Sequence, residues 1–455
     1  MRRALILTLF SLAAGFLSGT SPAPGQPPAG LRVATFSCDV TPPVGGHPLI
    51  WLTSVKTVED PLLAKGVVLD DGQHRYVLCA VDWCGLCNSS HELFRRKLAG
   101  GVGTDVARVE VHCVHQHTAP YTDSDAQRLL DKEADPPKYV DFKFLDQLTD
   151  RLAAAAKESL GRLEAFDQVG LGRAKVDRVA SSRRIPVGGG KFRWRMSSCK
   201  DPEVRALPEG TIDPFLKTVT LARGGKPLVR IHYYATHPQS FYGDPRACSD
   251  TAGFARARLE KKEGVFQIYF TGCAGNVAMG KYNDASRKAR AELTDRLYAG
   301  MEAAVAATRF APAGQIEWKS LPLRLPLRTE PGYRIEDNRA RMKNTKANPI
   351  RRVRAATRVA FAERIDRPLD VSVLKIGPAW LLHLPGECMV EFQLYAQELV
   401  PEQFLAVAAH GDVGPGYICT EKSFSEGGYE PTASRAGPKS EHVLKKAIRQ
   451  LLKPE

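Results

Sequence analysis

Three histidines lie within six positions of one another in VHCVHQHTAP, residues 111–120. Side chains alternate between the two faces of a strand, so His115 and His117 share one face and His112 lies on the other. If the strand continues to its end, the Cα atoms of His115 and His117 are roughly 6.5–7 Å apart. That spacing would let one imidazole bind a metal while the other faces a reacting group. A strand end with solvated histidines is the ordinary alternative.

A second apolar strand ends in a histidine in VRIHYYATHPQS, residues 229–240, where His237 immediately precedes Pro238. A lone histidine of this kind usually has a structural role. Two strands that each deliver a histidine at the end of an apolar face favour a metal site, because strand ends are where α/β sheets place ligands.

A carboxylate follows a third apolar run in PGECMVEF, residues 385–392. We expect Glu387 to follow a strand and a Pro-Gly turn and to begin a helix. There it could complement the helix dipole or complete a His/His/carboxylate zinc set that leaves a position for water.

Cys84 and Cys87 form a Cys-x-x-Cys motif in WCGLC, between the strand YVLCAVD and the predicted helix HELFRRKL. The motif resembles that of thioredoxin-like proteins, and a helix N-terminus lowers thiol pKa values. The chain continues into the histidine strand and a long helix, however, without the compact setting of a thioredoxin domain. A structural disulfide or plain packing is therefore favoured over a redox role.

GNVAMGKY, residues 275–282, is nearly a phosphate-binding loop after the strand VFQIYF. Tyr282 occupies the position that requires a hydroxyl ligand for magnesium, so a nucleotide site is rejected.

The elements that must position these residues indicate a single large mixed α/β domain over residues 31–455, with the metal site at strand ends. Leucines at helical spacing predict a helix over 144–163. Further helices are predicted at 250–262, 285–307, 389–400 and 440–452, and a basic helical excursion at 334–367. Strands are predicted at 65–69, 76–82, 106–115, 216–222, 227–236, 265–270 and 371–384.

The first 30 residues predict export. Two arginines, a short apolar segment and small residues are typical of a secretory signal peptide, and SPAPGQPPAG reads as a flexible lead-in. We expect a secreted or periplasmic protein with no transmembrane segment in the mature chain. The ten cysteines could form disulfides, and the net charge of +14 suggests peripheral contact with an anionic membrane surface. Export argues against nucleic acid as a partner.

The ordered set of motifs resembles the catalytic domain of the neutral, non-lysosomal ceramidases, zinc-dependent amidases that cleave the N-acyl bond of ceramide. The matching stretches run from about residue 31 to residue 438: CDVTPPVGG, DPLLAKGVVLDDG, VHQHTAP, IDPFLKTVTL, ATHPQS followed by SDTAGFA, LPGE and GYICTEKSFSEGGYEPTAS.

The resemblance implies a zinc ion held by four residues: His115, His237, Glu387 and Tyr417. It further implies that His117 is the general acid/base and that Tyr429 hydrogen-bonds a developing oxyanion. Arg183 or Arg184 corresponds loosely to a substrate-contacting arginine, with Arg183 the preferred candidate.

The chain departs from the family pattern at Ala278, where ceramidases carry a serine proposed as nucleophile. Because Ala278 has no hydroxyl, a zinc-bound water is the expected nucleophile. The C-terminal β-sandwich domain of full-length ceramidases is expected to be absent.

The sequence predicts an exported zinc-dependent hydrolase that cleaves the amide bond of a small-molecule or lipid N-acyl substrate. Sphingolipid-like molecules are among the candidate substrates. One alternative is an inactive binding protein that keeps the zinc site. A thiol–disulfide exchanger at Cys84 and Cys87 is the less favoured alternative.

Overall fold

A computed structural model of the protein describes residues 30–453. Within this range, twelve α-helices are interspersed with strands that form three sheets of four or five strands and several two-stranded ladders. This arrangement confirms the predicted mixed α/β fold class. Residues 1–29, which hold nearly all of the predicted signal peptide and lead-in, lie outside the described residues.

The first sheet is antiparallel except for its outermost parallel pair, Val109–Cys113 with Arg75–Val81. Its strands in spatial order are Val109–Cys113, Arg75–Val81, Leu63–Asp70, Arg32–Asp39 and Glu164–Ala165.

The second and third sheets repeat this plan, since each is antiparallel apart from one parallel pair at an edge. The second sheet has the order Phe266–Thr271, Lys226–Tyr234, Phe215–Arg223, Gln168–Lys175 and Arg309–Pro312. The third has the order Ile316–Leu323, Leu369–Ile376, Ala379–His383 and Phe404–Ala408.

The helices cover the outer faces and edges of the sheets. In chain order they are α1 Ser89–Val102, α2 Ser124–Leu130, α3 Phe142–Ser159, α4 Pro202–Ala206, α5 Asp250–Glu263, α6 Arg287–Ala306, α7 Ile335–Lys343, α8 Pro349–Glu363, α9 Val390–Leu399, α10 Glu421–Glu426, α11 Tyr429–Ala433 and α12 Ser440–Leu452.

Helix α3 shows why the sequence forms these elements. The Asp141 carboxylate accepts a hydrogen bond from the backbone N–H of Phe144 and caps the first turn. Leu145, Leu148 and Leu152 are buried on one stripe, as their spacing predicts, and each contributes roughly 1.5–3 kcal/mol by leaving water.

The three sheets meet at the carboxyl ends of their parallel edge strands. The backbone N–H of Cys113 donates to the carbonyl of His410 at 2.9 Å, and that of Ala409 donates to the carbonyl of Thr271 at 2.9 Å. Chain segments leaving all three sheets are thereby fixed against one another. This junction is where a ligand site is expected.

Several element boundaries differ from the sequence prediction. The run 371–384 is a hairpin of two strands, because Gly377 turns the chain at a φ of 52°. The predicted helical excursion at 334–367 is two helices, α7 and α8, separated at Asn344–Asn348. No helix among the described residues combines the length and apolar character needed to cross a membrane.

Candidate metal centre and active site

His115 and His237 meet at the junction of the sheets. Their Nε2 atoms are 3.0 Å apart. On each ring the other nitrogen, Nδ1, contacts a backbone carbonyl, that of Cys84 at 2.5 Å and that of Ala274 at 2.6 Å. A carbonyl oxygen accepts only, so both Nδ1 atoms carry the proton and both Nε2 atoms present lone pairs. Two buried lone pairs facing each other at 3.0 Å repel unless a proton or a metal ion lies between them, so this pair is a candidate metal site.

Glu387 and Tyr417 complete this group of ligand atoms. A short parallel ladder pairs Glu387 with Tyr417, so their side chains emerge side by side. The Glu387 carboxylate Oε2 is 3.3 Å from Nε2 of His115 and 3.5 Å from Nε2 of His237. The Tyr417 hydroxyl oxygen is 3.5 Å from Nε2 of His237.

These separations fit the donor set of a tetrahedral zinc site. Zinc–ligand bonds of about 2.0–2.1 Å in tetrahedral geometry place ligand atoms about 3.3 Å apart. The protonation states also fit, because burial lowers the pKa of His237 to about 3 and keeps its ring neutral.

His115 lies beyond its strand and not within it, contrary to the continued strand that the alternation assumed. The strand ends at Cys113, and His115 has a φ of 75°, so the chain turns between the two histidines. The rings of His115 and His117 are perpendicular, with centroids 5.0 Å apart. His237 also lies beyond its strand, which ends at Tyr234, while Glu387 lies in the short ladder and not at the start of α9, which begins at Val390.

His410 is a third histidine of the centre that the sequence prediction missed. Its ring centroid is 4.4 Å from that of His115 and 5.9 Å from that of His237. Nitrogen atoms of the three rings lie within 4.8 Å of one another, close enough to share an ion, and neither ring nitrogen of His410 has a hydrogen-bond partner. His410 is thus a candidate ligand beside the four implied ones.

The spacing of His410 from its strand could have revealed it. It follows the apolar strand Phe404–Ala408 by two residues, as His115 follows the strand that ends at Cys113, and both residues adopt positive φ. Trp51 and Leu52, at the rim of the site, do so as well. Four of the nine non-glycine residues with positive φ in residues 30–453 therefore lie at this site, which is where backbone strain concentrates in functional centres.

His117 lies beside the candidate metal ligands and lines a cavity. Its side chain packs against Trp51, with ring centroids 5.4 Å apart, and neither ring nitrogen has a hydrogen-bond partner. Burial holds the pKa of His117 well below its usual range, so the ring is neutral at pH 7. Both nitrogens therefore lack a protein partner on a side chain that borders the cavity.

The cavity has a volume of about 150 Å³ and opens above the ligand group. His115, His117, Glu387, Tyr417 and Tyr429 contribute to its walls. The Tyr429 ring is edge-on to that of Tyr417 at 5.7 Å, and the residue is 37% exposed, so its hydroxyl is accessible from the cavity.

Arg183 lies behind Tyr417 and is absent from the residues that line the cavity, so the substrate contact implied for it stays a prediction. It is 2% exposed, and its guanidinium donates to the Tyr417 hydroxyl at 3.0 Å and to the Ser197 hydroxyl at 3.0 Å. Burial raises the pKa of Tyr417, and the positive charge of Arg183 opposes that rise. Arg183 therefore favours the ionised phenol that a metal would bind.

Ala278 is buried in a short ladder opposite Ser181. The carbonyl of the preceding Val277 accepts a hydrogen bond from the backbone N–H of His237 at 3.0 Å. The segment that would carry a serine nucleophile therefore supports His237 and supplies no hydroxyl at position 278.

Cys84 directly precedes the short buried strand Gly85–Cys87, and Cys87 ends it just before Asn88, the N-cap residue of α1. Burial raises the pKa of both thiols well above the usual range, the opposite of what thiol–disulfide exchange requires. All ten cysteines of the chain fall within the described residues and are free thiols. Cys84 instead holds His115 through its carbonyl, although its sulfur also lies close enough to His115 and His117 to share an ion.

Comparison with known proteins identifies the fold. No family model matches the chain, and no curated protein matches its sequence. The structure of neutral ceramidase from Pseudomonas aeruginosa matches with a TM-score of 0.68 at 14% identity, over 93% of this chain and 74% of that one. A ceramidase complexed with C2 matches with a TM-score of 0.67 at 15% identity, over 93% and 75%. The protein therefore has a ceramidase-like fold, as the motifs implied.

Proposed function

We propose that this protein is an exported zinc-dependent amidohydrolase that cleaves the N-acyl bond of a ceramidase-like lipid substrate. The observation that carries the proposal is the facing pair of Nε2 lone pairs on His115 and His237. Glu387 and Tyr417 lie within 3.5 Å of them at the base of an open cavity. The ceramidase-like fold supports the substrate class.

Four residues would hold the zinc ion: His115, His237, Glu387 and Tyr417. Bound there, zinc supplies a Lewis acid that polarises a carbonyl group and makes a water molecule more acidic at neutral pH. Arg183 positions Tyr417 by donating to its hydroxyl, and the carbonyls of Cys84 and Ala274 orient the two imidazoles.

His117 moves the protons of the reaction. Its neutral ring takes a proton from the attacking water at one nitrogen and gives a proton to the departing amine, which is otherwise a poor leaving group. Tyr429, whose hydroxyl stays protonated at neutral pH, donates a hydrogen bond to the carbonyl oxygen as negative charge develops there. Water attack replaces serine attack because position 278 is alanine.

The proposal also covers the domain organisation and the cellular location of the enzyme. Residues 31–455 form the catalytic domain, and residues 1–30 direct secretion or transfer to the periplasm. The net charge of +14 suits peripheral contact with an anionic membrane surface that presents the lipid. Mass spectrometry of the native protein should find an N-terminus between about residues 18 and 31. An intact Met1 on cytoplasmic protein would contradict export.

A panel of N-acyl lipids and N-acyl amino acids, assayed with and without a chelator, tests the function. We expect release of fatty acid from at least one amide, loss of turnover with chelator, and recovery when zinc is added back. A zinc-loaded protein that hydrolyses no member of the panel would favour a binding protein. Turnover that chelator leaves unchanged would contradict the zinc-dependent mechanism.

A further inference from the structure

Helix α8 forms one wall of the cavity above the metal ligands. Ile350, Val353, Arg354, Thr357 and Arg358 all line it. Their spacing of three or four residues places them on one helical face. The basic segment at 334–367 thus supplies two guanidinium groups, those of Arg354 and Arg358, to the cavity wall.

These two arginines lack the partners that neutralise other arginines of the same segment. Arg339, Arg364 and Arg367 each form an ion pair with a carboxylate. Among the described residues, no carboxylate lies within ion-pair distance of Arg354 or Arg358. Arg358 donates only to the carbonyl of Thr432, at 3.0 Å, and Arg354 is exposed with no side-chain partner.

The arginines that line the cavity also lie close enough together for their positive electrostatic potentials to add. Burial and the nearby charge of Arg435, a third guanidinium lining the cavity, lower the pKa of Arg358 to about 10. Partial burial and Glu387 raise the pKa of Tyr429, and Arg354 opposes that rise, which places the Arg354 charge near the proposed oxyanion donor. Glu387 is the single carboxylate among the lining residues, and it belongs to the metal ligands.

The other lining residues are suited to an aliphatic chain. Ile50, Trp51 and Leu52 line the cavity together with Ile350 and Val353 of α8. A ligand that complements these walls has an apolar chain, which packs against the aliphatic side chains, and an anionic group. The anionic group is expected because guanidinium groups recognise carboxylate and phosphate oxygens in particular.

We propose that the substrate is an anionic N-acyl amphiphile, whose negatively charged group, a carboxylate or a phosphate, is bound by Arg354 and Arg358 while the amide lies over the metal ligands. The inference rests on the proposed amidohydrolase function and narrows it. Neutral N-acyl lipids of the same chain length are then poorer substrates, since they leave both arginines unpaired.

Three amides with the same acyl chain test the inference: N-dodecanoylglycine, N-dodecanoyl-phosphoethanolamine and the neutral N-dodecanoylethanolamine. At least one anionic amide should exceed the neutral one in kcat/KM by about tenfold or more, and the stronger of the two identifies the anion. Arg354→Gln/Arg358→Gln should abolish this preference mainly by raising KM. Arg351→Gln, on an exposed position of α8 outside the cavity, should preserve it. Equal kcat/KM for all three amides in the parent protein would overturn the inference and leave the amidohydrolase proposal intact.

A binding measurement separates this inference from the proposed function if no amide is hydrolysed. Calorimetry with zinc-loaded protein should then show that dodecanoate and dodecyl phosphate bind about tenfold more weakly to Arg354→Gln/Arg358→Gln than to Arg351→Gln. Equal affinities for the two variants would overturn the anion site. Unchanged thermal unfolding of the double variant is expected, because Arg354 is exposed and Arg358 half-buried.

Discussion

The protein contains two buried groups of histidine and glutamate that differ in how their polar atoms are connected. In the metal centre, Nε2 of His115 faces Nε2 of His237 at 3.0 Å, and Glu387 lies within 3.5 Å of both. In the second group, the Ser372 hydroxyl contacts both Glu110 and His383, and His112 lies beside Glu110. We call the second group the paired cluster.

The paired cluster connects most of its polar atoms internally, although Nε2 of His112 and Nε2 of His383 have no hydrogen-bond partner. Ser372 donates to Glu110 at 2.6 Å and its oxygen contacts Nδ1 of His383 at 3.0 Å. Nε2 of His112 lies 3.4 Å from Glu110, and Nδ1 of His112 contacts the carbonyl of Ala409 at 2.8 Å. Burial opposes ionisation of Glu110, but its contact with His112 outweighs burial and holds the pKa well below the usual range.

The cavities beside the two groups show the same contrast. Glu110 and His112 border a cavity of about 320 Å³ whose arginines are paired with carboxylates, Arg95 with Asp370 and Arg364 with Asp412. The cavity above the metal centre has unpaired arginines and a histidine with two unpartnered nitrogens. The same residue types thus lie beside paired arginines in one place and beside unpaired arginines in the other, and we expect the second place to be the chemical site.

Removal of the proton carrier should produce the largest effect on turnover. His117→Ala should retain zinc yet lose about 10²–10⁴ in turnover, the usual contribution of a general acid/base. Steady-state kinetics together with elemental analysis measures both quantities. If His117→Ala hydrolyses the substrate at the parent rate, His117 is not the proton carrier.

Disrupting the paired cluster should lower the free energy of unfolding and leave the zinc content unchanged. Glu110→Gln leaves buried groups without their charge partner and should lower the free energy of unfolding by about 3 kcal/mol, with zinc content unchanged. The folded-state pKa of Glu110 is depressed, so its stabilisation is complete above the pKa of unfolded glutamate, about 4.3, and is lost as the pH falls below it. The variant should therefore show a shallower acid destabilisation than the parent.

Urea denaturation between neutral and acidic pH measures this effect. Glu317→Gln is the matched control, because the Glu317 side chain is 60% exposed, and it should change stability by less than about 0.5 kcal/mol. A loss of zinc from Glu110→Gln at neutral pH would show that the two clusters are not separate.

Removing the support of Tyr417 should weaken zinc binding without abolishing it. Arg183→Gln loses the charged donor to the Tyr417 hydroxyl and should reduce zinc affinity by about 10–100-fold. Competition with a chelator measures the affinity, with the exposed Arg178→Gln as control. If affinity is unchanged while kcat/KM falls, Arg183 contacts substrate as the ceramidase resemblance implied.

Substitution of Cys84 and Cys87 should have the smallest effect on zinc content and turnover. Cys84→Ser/Cys87→Ser should keep zinc content and turnover within about twofold of the parent, because the proposed ligand set contains no thiol. Near-complete loss of turnover in a folded variant would revive the redox hypothesis, and loss of zinc would make Cys84 a ligand.

The sequence predicted the parts of the molecule that depend on local patterns. Apolar runs located the edge strands, and the leucine stripe located α3, because burial of one face imposes a period. The candidate ligands His115, His237 and Glu387 were recognisable since each follows such a run, and the structure brings all three together. The roles assigned to them stay predictions.

The features that the sequence did not predict depend on contacts between distant parts of the chain. The spacing of His410 from its strand matches that of His115, but no second histidine lies beside it to draw attention to the run, and the junction of the three sheets brings the two rings together. The turn at His115, with its φ of 75°, replaced the continued strand because the chain leaves the sheet after Cys113. The unpaired state of Arg354 and Arg358 also required the fold, since a basic run does not reveal which of its charges find partners.

Zinc content is the most direct test of the central claim that the metal centre and the paired cluster differ in function. Elemental analysis should find one zinc per chain in the parent protein and in His383→Gln, a variant of the paired cluster. It should find almost none in His237→Gln, with chelator-sensitive turnover lost in parallel. Equal zinc in His237→Gln and the parent, or loss of zinc only from His383→Gln, would contradict the account.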